Sequence, residues 1–362
     1  MPIYMDLHII PGVTAKDVAK AHLMDTMLQG EYNCKCMTYW VDEARGQVFC
    51  LIDAPTKDVV KELHQKAHGL VPHRIIDVQE SLVASFLGRI NDPEDTEVSD
   101  GLKLINDPSY RVLVIIKMHD HILSRCRYGK EKAAELVQKA HEVIHQELQQ
   151  QGGEEAEYRG DAFIASFVSA ANAYSWARSV QQNLVEAGIP DHRIAIHAGV
   201  PVSDNEKLFG ETIQLAEHLC FIAKDRQLAF SSAVKQLVFK DHFEKSEALI
   251  TLPANDELFL QELFAALEQH WQDSDFNMDD YCKKMAMSRS QLYRRTLTLS
   301  GFSPNALLKE YRLERSKSLL KNKSMNISQV TFDAGFSSPS YFTKCFKKKY
   351  GILPMAYLDM LQ

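Results

Sequence analysis

No apolar run in this 362-residue chain reaches the roughly 18 residues that a membrane helix requires. The start, MPIYMDLHII, lacks a basic segment ahead of its apolar residues and carries Asp6 early, which argues against a secretory leader. Cysteine is sparse: the seven are scattered and odd in number, so reduced thiols in the cytoplasm are expected rather than a disulfide framework. Low-complexity tracts and solenoid-type repeats are missing as well. What remains, 45% hydrophobic and 25% charged residues, is the balance of a globular protein. A prior of roughly 100–200 residues per domain divides the length into two or three. Positive charge is also scarce, with a net charge of −7. It is unevenly spread, however. From Ala266 to Gln362 there are 15 Lys and Arg against 9 Asp and Glu, a balance of +6 that leaves the rest near −13. Capacity for phosphate is therefore concentrated at one end.

Three blocks separate by pattern. In the first, residues 1–83, IYMDLHII reads as a strand and Thr14 caps a helix running to about Gln29. CKCMTYWV and QVFCLIDA read as two strands, Thr56 caps a second helix that stops at Gly69, and HRIIDV is a last strand. This βαββαβ order predicts a ferredoxin-like split. The polar stretch 90–101 reads as a linker. The second block, 106–242, begins at the apolar strand VLVII. A helix over 130–151, a hairpin over 156–167, a helix through Trp176, the strand RIAIHAG, a helix after Gly210 and the strand QLAFSS follow, an alternation that predicts an α/β sandwich. A junction is expected over 243–256. The third block, 266–362, is all helical. Ser288 with Gln291 and Asn326 with Gln329 make capping boxes, and Ser303-Pro304 and Ser338-Pro339 each set a cap before a helix-opening proline.

The third block contains two helix-turn-helix units, 278–298 and 327–348, joined by a long helix over 304–320. It resembles the AraC/XylS family of transcription regulators through MSRSQLYRR (287–295), GFSPNALLKEYRLERSKSLL (301–320) and ISQVTFDAGFSSPSYFTKCFKKKYGILPMAY (327–357), about 95 residues at close to the family's spacing. The departure is Val330-Thr331, where the family carries Ile-Ala; Thr331 is expected to cost little if its hydroxyl bonds back to the helix. An α-helix fits the major groove, and two on one rigid connector reach successive grooves. The resemblance implies base contacts by Ser290, Tyr293, Arg294, Ser340 and Lys344. Arg294 is foremost, since Arg can bind guanine in a bidentate manner. Lys347, Lys348 and Lys349 are expected to meet phosphate or solvent.

The middle block resembles the class III nucleotidyl cyclase domain through GGEEAEYRGDAFIASF (152–167), RIAIHAGV (193–200) and LFGETIQLAEHL (208–219). That chemistry needs two metal ions held by two aspartates. Asp161 matches one of them. The other would lie in the first strand, where Ile116 or Lys117 stands and Asp120 comes too late. The family's transition-state Asn and Arg fall on Gln214 and His218, and its base-selecting Lys falls near Glu157. The block is therefore expected to lack catalysis and to serve sensing or dimerisation.

In the first block, His64 and His68 lie at i and i+4 on one helical face, a workable ligand spacing. The block resembles a small ferredoxin-like family with nickel-binding members, through Asp6, His8, Ala21-His22, TYWVDE (38–43), VFCLIDAP (48–55) and HQKAHGLVP (64–72). The candidate ligands are His8, His22, His64 and His68, with Cys34, Cys36 and Cys50 as further soft donors or plain strand residues. Nickel, zinc and copper all suit imidazole. Binding is expected to weaken as pH falls through roughly 6.5. The chain thus reads as a cytoplasmic, non-enzymatic regulator that binds double-stranded DNA, pairs with a second copy and contacts RNA polymerase. Its rivals are an active cyclase fused to a DNA reader and a metal-binding protein whose DNA module is secondary.

Overall fold

The computed structural model describes residues 1–362 except 95–96, 100–101, 160, 190, 239–247, 323–324 and 362. Part of the expected 243–256 junction, part of the 90–101 linker and Gly160 of the Gly-Asp pair thus lie outside the described residues. The first block forms β1 (Ile3–Ile9), α1 (Ala15–Leu28), β2 (Lys35–Asp42), β3 (Gln47–Asp53), α2 (Lys57–Ala67) and β4 (Arg74–Val78). Thr14 and Asp17 close a reciprocal capping box on α1, and the Thr56 side chain accepts from the Val59 amide on α2. The strands run β2-β3-β1-β4 with antiparallel neighbours, the ferredoxin-like order. Tyr4, Val48 and Ile52 pack with Val18 of α1 and Val60 of α2, while Met5, Leu7, Phe49 and Leu51 fill the opposite face. A sheet covered on both faces explains why its strands are apolar almost without alternation.

That opposite face is sealed by the middle of the chain. α3 (Glu80–Leu87) follows β4 directly and crosses the expected end of the first block at Val83. Its Phe86 carbonyl accepts from the Ser166 hydroxyl at 2.8 Å, and its ring packs on Phe209 at 5.2 Å. The stretch read as a linker contains β5 (Glu97–Ser99), paired antiparallel with β6 (Leu102–Leu104). This segment is strapped back onto the first sheet. The Tyr39 hydroxyl donates to the Lys103 carbonyl and accepts from the Ile105 amide, and the Val41 amide donates to the Asp107 carbonyl.

The middle sheet is built from β7 (Arg111–Lys117), then α4 (His121–Tyr128), α5 (Lys130–His145), β8 (Gly153–Arg159), β9 (Ala162–Phe167), α6 (Ala170–Glu186), β10 (Arg193–Gly199), α7 (Gly210–Ile222), β11 (Leu228–Phe230), α8 (Ser232–Val238) and β12 (Leu249–Thr251). Its order is β12-β11-β10-β7-β9-β8. Val112, Val114 and Phe163 face Ala140 and Ile144 of α5 and Trp176 and Val180 of α6. Leu113, Ile115 and Ile164 face the opposite way, toward Ile213, Ala216 and Leu219 of α7. β12 pairs with β11, so the middle sheet continues past residue 242.

α9 (Ala254–His270) opens the helical part and contains Ala266, the expected start of the third block. It buries Phe259, Leu263, Phe264 and Leu267. Then come α10 (Met278–Lys284), α11 (Arg289–Ser300), α12 (Pro304–Leu320), α13 (Ile327–Asp333), α14 (Pro339–Tyr350) and α15 (Pro354–Asp359). The capping boxes at Ser288 and Asn326 form, and Ser303 and Ser338 cap the helices that begin with Pro304 and Pro339.

Candidate nucleic-acid interface and metal-ligating cluster

Each helix-turn-helix unit buries one side of its second helix and exposes the other. On α11, Leu292 and Thr296 are buried, while Ser290, Tyr293 and Arg294 are exposed. On α14, Phe342 and Phe346 are buried, while Ser340, Lys344, Lys347 and Lys348 are exposed. Arg289 is engaged in a two-point pair with Asp279, which ties α11 to α10. The second turn depends on Gly335. Its φ is +75°, and a Cβ there would collide with the Trp271 carbonyl oxygen and lie 2.8 Å from Arg312 Nε. That same carbonyl accepts from Arg312 Nε at 2.7 Å, so α12, the end of α9 and the turn are locked together. Thr331 bonds back to the Ile327 carbonyl at 2.8 Å, which satisfies its buried hydroxyl. Lys349 corrects one expectation. Its ammonium turns inward to Glu310, at 2.9 Å from the carboxylate and 3.1 Å from the carbonyl, instead of meeting phosphate or solvent.

The side of this module away from those exposed residues docks on the middle sheet through buried charge. Lys317 of α12 places its ammonium 3.0 Å from Glu314, 3.6 Å from Asp120 and 3.8 Å from Asp161. Glu314 also meets Lys117 at 3.1 Å and accepts from the Tyr350 hydroxyl at 3.1 Å. The Tyr357 hydroxyl donates to Asp120 at 2.8 Å. Burial would push the Glu314 carboxyl up, but Lys117, Lys317 and Lys349 hold it well below its ordinary range. Gln214 and His218 of α7 both bond Glu268 of α9, at 2.8 and 3.2 Å, and the His218 ring stacks on Phe264. Thus Lys117, Asp161, Gln214 and His218, the positions compared with cyclase chemistry, all make contacts to the helical part of the same chain.

The first block gathers a different set. Alternation along β1 sends Asp6 and His8 to the helix side of the sheet. There His8 lies 3.2 Å and His64 of α2 3.0 Å from the Asp6 carboxylate. The other nitrogen of His64 is 3.2 Å from Asp25 of α1, and His68 is 3.3 Å from the same oxygen. Ligand atoms of Asp6, His8, Cys50 and His64 all lie within 4.8 Å of one another, as do those of Asp25, His64 and His68. His22 stands outside both sets. Its nitrogen is 3.5 Å from Asp92 and its ring lies 5.1 Å from Tyr39, although it lines the same 220 Å³ cavity as His8 and His68. Burial would lower the His64 pKa, but the Asp6 charge and the bonds to Asp25 and Asp6 raise it to about 10. Burial likewise would raise Asp6 and Asp25, and their histidine partners hold both below the ordinary carboxylate range. Cys50 is pushed well up by burial and by Asp6, and Cys36 is raised by burial and by Asp25. The two aspartates were not among the ligands read from sequence. The signal for Asp6 is its i, i+2 relation to His8 on a strand; for Asp25 it is the single turn separating it from His22 on α1.

Residues 281–360 match a family described as helix-turn-helix domain. They form a helix-turn-helix domain of the AraC type. The curated relatives align with stretches of this chain. The HTH-type transcriptional regulator MtrA of Neisseria gonorrhoeae is 34% identical over 85 residues, 24% of this chain and 28% of the relative. "Histidine kinase P4" of Formosa agariphila is 34% identical over 116 residues, 32% of this chain and 8% of the relative. The chain thus spans less than a third of the length of either. Residues 4–78 match the family described as nickel responsive protein SCO4226-like. Among solved structures, adenylate cyclases from Trypanosoma brucei in their monomeric state superpose on 36% of this chain and 76% of that chain, with 14% identity and a TM-score of 0.31. Among the described residues, no helix is long and apolar enough to cross a membrane.

Proposed function

We propose that this protein is a transcriptional regulator that reads double-stranded DNA with α11 and α14 and responds to a divalent transition metal held by its first block. The observation that carries the reading is the exposure of Ser290, Tyr293, Arg294, Ser340 and Lys344 on two helix-turn-helix units whose opposite sides are buried. An arginine at a groove-facing position can bind guanine in a bidentate manner, worth about 1–3 kcal/mol of discrimination. The test is selection of genomic fragments by the full chain, followed by titration of the selected site at several salt concentrations. Arg294→Ala is expected to lose about 1–3 kcal/mol at one base position and to relax specificity there. Equal retention of all fragments would overturn the reading.

The metal part rests on the donor set. Two carboxylates, three imidazoles and a thiol around His64 suit borderline divalent ions, and nickel follows from the family that residues 4–78 match. His8, His64 and Asp6, or His64, His68 and Asp25, would hold the ion, which would tie α2 to β1 in the first case and to α1 in the second. The middle domain is read as a non-catalytic dock: where cyclase chemistry needs a second metal-holding carboxylate, Ile116 or Lys117 stands, Lys117 is paired with Glu314, and Asp161 faces the Lys317 ammonium. A homodimer is part of this proposal, since a second copy raises the local concentration of the second DNA module. Light scattering of the full chain decides it.

A further inference from the structure

A cavity of about 290 Å³ lies in the middle domain between α4, α5 and the start of β9, apart from both the metal-ligating cluster and the DNA-facing residues. Leu136, Ala140 and Ile144 of α5 wall it on one side, Phe163 and Ile189 on others. Its polar groups are mostly imidazoles. His145 is held by the His141 carbonyl and by Glu155, both at 2.8 Å, and its ring stacks on His141 with centroids 3.8 Å apart. That stack presents a flat aromatic surface. Among the described residues, the ring nitrogens of His121 and His141 have no hydrogen-bond partner, so both are available to a guest. The charged groups nearby already have partners: Glu155 is bonded to His145, Asp161 faces Lys317, and Asp191 pairs with Arg127 and touches His119. A charged guest would give up hydration here for groups that are already engaged, which favours a neutral one. The volume is at the lower end for small-molecule sites and fits one or two fused rings.

We propose that this cavity binds a small neutral heteroaromatic molecule, and that its occupancy reaches the DNA-binding module through the turn 118–121. His119 and His121 line the cavity, while Asp120 between them holds Lys317 of α12 and Tyr357 of α15. Asp161 serves both sides as well: it lines the cavity, faces Lys317, and its carbonyl accepts from the Met118 amide at 2.7 Å. A guest that moves this turn moves the carboxylates that seat the module. A guest influences DNA affinity only through a difference in its affinity for the two arrangements.

The transmission rests on the DNA-reading function; the site itself does not. Full-length protein is titrated with indole as probe, following the histidine ring proton resonances, with tryptamine and indole-3-acetate as charged counterparts. Saturable shifts at His121 and His141 are expected with indole, with affinity at least about tenfold weaker for both charged probes. Val137→Trp, at the exposed rim, should weaken indole by about tenfold without altering the fold; Ala140→Leu, which fills the floor, is the second variant. Silence of both resonances with all three probes overturns the site, as does unchanged indole affinity in both variants. Indole should also change affinity for the selected DNA in the wild type and not in Lys317→Met. No change in the wild type refutes the transmission. Should the chain bind no DNA at all, the regulator reading fails, and the resonance titration still decides the cavity.

Discussion

At the scale of single residues, two positions set strong expectations. Gly335 combines a left-handed backbone with a carbonyl where a Cβ would sit. Gly335→Ala should therefore cost about 2–4 kcal/mol, more than a left-handed alanine alone, because the α9–α12 tie must shift. Denaturant unfolding of the full chain measures it, and a loss below about 1 kcal/mol would show that the turn adapts. His64 gives the second. Its pKa, raised to about 10 by Asp6 and Asp25 against burial, means that it holds its proton at neutral pH. In metal-free protein this contributes stability that is complete below the ordinary histidine value of about 6.5 and is lost as pH rises through about 10. His64 must release that proton before either of its nitrogens has a lone pair to offer a metal ion. Metal uptake at pH 7 should thus release about one proton, and affinity should rise about tenfold per pH unit toward 10. Calorimetry in buffers of different ionisation heat reads this directly; a heat independent of buffer would contradict it. From sequence, His22 groups with the other three histidines and the pH response falls near 6.5; the structure keeps His22 on Asp92, and the two aspartates that move the response sit on different elements, β1 and α1.

Among the elements, local signals were legible and long-range ones were not. Thr14, Thr56, Ser288, Ser303, Asn326 and Ser338 all cap the helices that their side chains announce. The ferredoxin-like order was readable from alternation and turns. α4 was missed because Gly129 splits what reads as one polar-to-helical run, and α3 because nothing in 80–87 marks a boundary between blocks. The linker at 90–101 looked free because its polar composition hides the bonds that Tyr39 and Val41 make to residues beyond it. α9 has the largest practical consequence. A segment beginning at Ala266 cuts this helix and removes Phe259, Leu263 and Phe264 from the core that includes Trp271 and Tyr311. Such a segment should be less stable by several kcal/mol, roughly 2 per lost large side chain, than one beginning at Pro253. Thermal unfolding of the two, side by side, checks it; equal midpoints would show that α9 belongs energetically to the middle sheet alone.

For the whole molecule, the decisive feature is the buried charge joining α12, α14 and α15 to β7 and the turn after it. Removing one partner of such a set leaves others buried without a counter-charge, typically at about 3–5 kcal/mol. Lys317→Met should therefore loosen the DNA-binding module from the middle domain and divide one unfolding transition into two. Scanning calorimetry that still shows a single transition would mean that the apolar contacts of α9 suffice. The dock also limits what this face of the middle domain tolerates. A carboxylate at Lys117 would confront Glu314 across the interface and unseat the module. The two domains therefore cannot vary independently at these side chains: a change of sign on one has to be answered on the other, and electrostatics ties their sequences together.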